Sequence, residues 1–171
     1  TLKKHKMKKI IILSFLAFLS FSTFGQSKFG YIDSGELLAL MPEKKTAEEE
    51  LQTFAKSLES QLGAMQAEYQ QSVQDYQDNE STYTDLVKQD KIAEIQGLEQ
   101  RIQSFQQNAQ NALQEKEKEL LEPILTKARN AIEDVAKEGK FTYIFDKSMG
   151  TILYASESEN VLSLVKKKLG L

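Results

Sequence analysis

Apolar residues recur at Ala47, Leu51, Phe54, Leu58, Leu62, Met65, Tyr69, Val73 and Tyr76, in steps of three and four. That spacing draws one narrow stripe along a helix, close to a coiled-coil seam. A second stripe runs through Ile92, Ile95, Leu98, Ile102, Phe105, Ala109 and Ala112, then Leu120, Ile124, Ala128, Ile132 and Val135. Between them, Gln77 to Asp90 (QDNESTYTDLVKQD) loses the pattern and gathers Asn, Ser, Thr and Asp, which favour turns and caps. The segment 43–138 therefore predicts two long antiparallel helices, a hairpin arm with its reversal near 77–90. Pro42 suits the first helical turn, where its missing N–H costs nothing. Pro123 falls inside the returning helix and predicts a kink near the base of the arm.

The pattern changes on both sides of the arm. Lys28 to Asp33 (KFGYID) alternates like a strand and leads into a short helix near Ser34, with Asp33 and Glu36 spaced for a capping box. After Gly139, a natural helix stop, FTYIFD (141–146), a turn at 147–150 and TILYA (151–155) read as a β-hairpin. A last helix over 157–169, capped near Ser156, ends in Lys166, Lys167 and Lys168 at its negative dipole end. An antiparallel helix pair returns the chain to its starting point, so the N-terminal strand and the C-terminal hairpin should meet in one small sheet. The fold class is α+β and mostly helical, with 26–42 and 139–171 forming a β-rich body beneath the arm.

Three strands and one short helix bury little in a monomer. Phe29, Tyr31, Ile32, Phe141, Tyr143, Phe145, Ile152, Leu153 and Tyr154 are a heavy apolar load for so small a base. They are the candidates for an oligomerisation surface, closing into a symmetric homo-oligomer with the arms projecting.

Composition then narrows the chemistry. Five lysines precede Ile10 to Phe24, an apolar stretch of 15 residues, and Thr23 and Gly25 sit at the −3 and −1 places of a cut before Gln26. Residues 1–25 read as a cleaved secretory signal peptide, too short for a membrane span, with translation from Met7 as an option. Without that leader, 17 of the 22 basic residues remain against 25 acidic ones, a net charge of −8. The single histidine, His5, goes with the leader, and the chain has no Cys and no Trp. An imidazole base, a thiol nucleophile, a lipidated cysteine and a Cys/His metal cluster are all excluded, and no cofactor or metal is expected. Neither a phosphate loop nor a G-x-G-x-x-G turn is present.

KFGYID after a signal peptide, a Gln/Glu/Lys-rich hairpin, YIFD, a turn, ILYAS and a terminal helix ending VKKKLGL resemble the Skp/OmpH family of periplasmic chaperones over essentially the whole mature chain. The resemblance implies a homotrimer with a β-body and three helical tentacles. Their cavity would hold unfolded outer-membrane β-barrel proteins without ATP. On that reading Met65, Tyr69, Val73, Tyr76 and Tyr83 are client-contact candidates on the outer arm, with Phe105 opposite them. One departure stands out. Residues 43–138 carry 11 basic and 20 acidic residues, a net of −9, whereas the family's enterobacterial members resemble a strongly basic protein at the arms. Nucleic acid is disfavoured as a partner, and membrane association should be weak or absent. The alternative is a structural coiled-coil adaptor or spacer of the envelope, docking through its hairpin tip. Carboxylate pairs such as Glu48 and Glu49 read as a solvated charge run rather than an acid/base pair.

Overall fold

The computed structural model of the chain describes residues 27–171. The signal peptide expected at 1–25 lies outside them. In chain order the elements are β1 (Phe29–Ile32), α1 (Ser34–Leu40), α2 (Pro42–Asn79), α3 (Asp85–Glu138), β2 (Tyr143–Asp146) and α4 (Leu162–Leu169). Single 3-10 turns occupy Glu80–Thr82 and Glu157–Glu159.

The hairpin arm forms as the stripes predict. α2 spans 38 residues and α3 spans 54, lengths of about 57 and 81 Å at 1.5 Å per residue. The reversal is tighter than the polar stretch suggested, confined to the few residues between Asn79 and Asp85. Thr84 caps α3 by accepting from the Val87 N–H at 3.4 Å. Pro42 opens α2, and α3 continues through Pro123. At the other end of the arm the chain leaves α3 after Glu138, but Gly139 stays in right-handed space (φ −81°, ψ −3°). Lys140 takes the left-handed place instead, at φ 54°. Phe141 N–H then bonds Ala136 O at 2.9 Å and folds its ring against Gly139, where a side chain would meet it.

At the base β1 and β2 run parallel, in the register Phe29 with Tyr143 and Tyr31 with Phe145. Asp33 caps α1 by accepting from Glu36 N–H at 3.0 Å, one half of the expected capping box. Side chains alternate across the strands. Ile32 and Ile144 face inward to the core, where Leu37, Met41, Val161 and Val165 are almost completely buried. The roots of the arm complete that core with Ala47, Ile124, Ala128, Ala131 and Val135.

Two expectations for the C-terminal region need correction. The hairpin does not form: β2 is its only strand, and Thr151–Ala155 is irregular, with Leu153 98% and Tyr154 88% exposed. Helices already cover the inner face of the sheet, and the second edge of β1 is engaged by Val161 N–H, which bonds Tyr31 O at 2.9 Å. The far edge of β2 stays open among the described residues, but an alternating segment with no layer to bury against gains little from strand geometry. The final helix is also shorter than expected. Asn160 remains extended to reach β1, so α4 starts at Leu162, where Asn160 Oδ1 accepts from the backbone N–H at 3.0 Å. Gly170 ends it in left-handed geometry, φ 76°, with the three lysines in the last turn.

Candidate functional site

Two surfaces collect the residues singled out from the sequence. On the outer face of the sheet Phe29, Tyr143 and Phe145 form one aromatic cluster. Phe29 stacks on Tyr143 with ring centres 6.1 Å apart and planes 10° from parallel, and Tyr143 lies 6.0 Å from Phe145. All three are exposed, Tyr143 to 60%. The far edge of β2 has no strand beside it among the described residues.

The rest of the expected body surface divides. Tyr31 and Ile32 are buried and Phe141 packs against the core; Ile32 and Phe141 hold the base together from within, whereas Tyr31 is covered by Lys147 and the turn at 157–160. Tyr31 Oη donates to Glu157 Oε2 at 3.0 Å. Burial first, and the Glu157 carboxylate second, push the Tyr31 hydroxyl above its ordinary pKa. Ile152 is half-buried, whereas Leu153 and Tyr154 stand in solvent.

A carboxylate ties this irregular segment to the sheet. Asp146 Oδ2 accepts from Ser34 Oγ at 2.6 Å, and its Oδ1 accepts from the backbone N–H of Ser34 (3.2 Å) and of Ser148 (2.9 Å). Burial alone would raise its pKa, but these donors outweigh it and hold the Asp146 carboxyl below the usual range.

Along the arm, Met65, Tyr69, Val73, Tyr76 and Tyr83 are each half-buried. The last two belong to a polar network at the tip. Tyr83 Oη donates to Asp75 Oδ2 at 3.1 Å, its ring lies 6.5 Å from that of Tyr76, and Tyr76 Oη reaches Glu80 at 3.3 Å. Lys91 joins from α3, 3.2 Å from Glu94 and 3.5 Å from Asp75. The pKa of Lys91 is raised, chiefly by Glu94, so it remains an ammonium that pins α3 to α2 across the reversal.

Phe105 sits nearer the base than expected. It lies beside Leu58 and Leu62 rather than opposite the outer tyrosines, because the reversal near Thr82 places it about as far from the tip as Leu58. There the seam opens into a groove of about 530 Å³, with Ala55 and Ala109 among its lining residues. The sequence reading missed this groove. Only part of its signal was present: Ala109 stands in the second stripe where larger residues occur elsewhere, whereas Ala55 falls one position beside Phe54 of the first. Also missed was the ion pair between Lys127 and Glu43, which clamps the root of the arm and holds the Glu43 carboxyl low. No group of three or more His, Cys, Asp or Glu side chains is arranged to hold a metal ion among the described residues. No helix among them is long and apolar enough to cross a membrane.

The family model described as outer membrane protein (OmpH-like) matches residues 28–169, which takes in β1, the whole arm, β2 and α4. No curated protein matches the chain in sequence. Among solved structures, the chain is similar to a candidate outer membrane chaperone (OmpH-like) from Caulobacter crescentus CB15. The TM-score is 0.74 at 14% identity, covering 84% of this chain and 83% of that one. At that identity the likeness is one of fold.

Proposed function

Because the chain belongs to the OmpH-like outer membrane protein family, we propose that it is a periplasmic, ATP-independent holdase. Working as a homotrimer, it keeps unfolded outer-membrane β-barrel proteins from aggregating between its helical arms. The observation that carries this reading is the arm itself, which holds apolar side chains half-buried along nearly its whole length rather than sealing them in a core. An unfolded barrel protein exposes alternating apolar residues that would otherwise meet another copy. Many weak contacts with such an arm can hold it without fixing one shape.

Trimer formation draws support from the base. The Phe29, Tyr143 and Phe145 cluster, together with exposed Leu153 and Tyr154 and the open edge of β2, is more apolar surface than so small a body keeps exposed without a partner. Self-association would cover the rings and the edge together. Met65, Tyr69, Val73, Tyr76, Tyr83 and Phe105 are the proposed client contacts, reached when the seam loosens. The work is binding and release, with no catalytic step, cofactor or nucleic acid.

The test is the light-scattering mass of residues 26–171, alone and with a urea-diluted outer-membrane barrel protein. A trimer that keeps the client soluble in a defined complex is the expected result. A monomer beside an aggregating client would overturn both the assembly and the holdase reading.

A further inference from the structure

The mid-arm groove is an opening that the packing of α2 on α3 leaves unfilled. Ala55 lines it from one helix and Ala109 from the other, with Leu58, Leu62, Phe105 and Leu113 completing its apolar lining. Short side chains on both helices at one level leave a gap that neither fills. At about 530 Å³ the gap far exceeds the roughly 30 Å³ share of one water and has room for an aromatic or branched aliphatic side chain.

The polar part of the lining is one-sided. Gln106 and Gln110 stand one turn apart on α3, and Glu59 is the only charged residue lining the groove among the described residues. None of the ion pairs along the arm uses Glu59. The surroundings extend the same sign: residues 57–110 hold nine acidic and three basic residues, a net of −6. One of those three, Lys91, is already engaged by Asp75 and Glu94.

We propose that this groove docks extended, unfolded client segments in which an apolar side chain is flanked by Lys or Arg, in preference to segments flanked by acidic residues. The proposal deepens the holdase reading and rests on it. The apolar side chain fills the opening, and the two glutamine amides offer donors and acceptors to an extended backbone. Glu59 meets the flanking cation, and the acidic outer arm attracts basic segments while repelling acidic ones.

The experiment uses the full mature chain and two fluorescent peptides of equal length. Both alternate Phe and Leu with polar positions, filled by Lys in one and by Glu in the other. Binding is read by anisotropy at low and high salt. The Lys peptide should bind about fivefold tighter at low salt, as expected of one or two exposed ion pairs. The preference should vanish near 1 M salt, where the screening length is about 3 Å. Ala109→Phe, which fills the groove, should weaken both peptides about tenfold. Glu59→Gln leaves the seam intact and should lower the preference about twofold. Equal binding of the two peptides, or an Ala109→Phe variant with a normal helical spectrum that binds as wild type does, would overturn the proposal. If the barrel protein is kept soluble while the peptides do not discriminate, the groove proposal fails alone. If the Lys peptide is preferred while the barrel protein still aggregates, the holdase reading fails alone.

Discussion

The base and the arm of this molecule use the same residue types to opposite ends. At the base, 0–2% exposure is reached by Ile32, Leu37, Met41, Val161 and Val165, which come from two short stretches at opposite ends of the described chain. Along the arm between Ala47 and Ile124 no large apolar residue reaches that level, and Leu98, at 4%, is the one that is buried at all. Geometry explains the difference. A core enclosed by a sheet and several helices surrounds a side chain on all sides, whereas two helices alone cover it on one. The base therefore stores the stability, and the arm keeps its apolar surface within reach of opening.

Substitutions in the two regions should separate most widely at the core. Leu37→Ala should cost about 2–5 kcal/mol, the usual range for a fully buried leucine. Leu62→Ala, on the half-buried seam beside the groove, should cost well under half of that. Thermal unfolding of both variants checks it, and equal losses would break the contrast between base and arm.

An intermediate effect is expected at Asp146. Its folded pKa is depressed, so the stability it contributes is fully present above the unfolded carboxylate value near 3.8 and is lost as pH falls through the lower folded value. Asp146→Asn should remove about 1–3 kcal/mol at neutral pH, typical of hydrogen bonds to a charged group. It should also flatten the acid side of the stability profile below about pH 4. Unfolding midpoints from pH 7 to pH 2 test both statements, and an unchanged acid limb would show that the Ser34 and Ser148 contacts carry no linkage.

The smallest change should come from the arm, with the opposite sign. Gly63 lies within α2, and nothing within 4 Å would obstruct an added Cβ. Gly63→Ala should stabilise the arm by up to about 1 kcal/mol through helix propensity and a less flexible unfolded chain. Hydrogen exchange should slow around residues 60–66 while the amides of β1 and β2 stay unchanged. Slowing at the base as well would mean that arm and base unfold together.

Much of this architecture was legible in the residues. Two stripes in steps of three and four, broken once by a polar stretch, defined the helices because a 3.6-residue period leaves no other use for that spacing. Pro42 and Asp33 marked helix starts by local chemistry that needs no tertiary partner, whereas the Thr84 cap was not singled out within the polar stretch. The C-terminal strands were only half legible. YIFD pairs because β1 lies beside it, while TILYA, with equal β propensity, finds no layer to bury against within the chain. Phe105 was recognised as a candidate, but its level on the arm depended on where the reversal fell.

By itself the sequence determined the helical hairpin, its approximate ends, the acidic sign of the arm and the absence of any cysteine thiol, since these follow from local periodicity and residue chemistry. The tertiary structure alone decided that β1 and β2 pair in parallel, that the 157–160 turn covers Tyr31 while Tyr143 stays exposed, and that Ala55 and Ala109 leave a groove at one level. Those outcomes depend on which distant residues come to lie side by side, and the relative position of two segments is set by the packing of the whole base rather than by either segment alone.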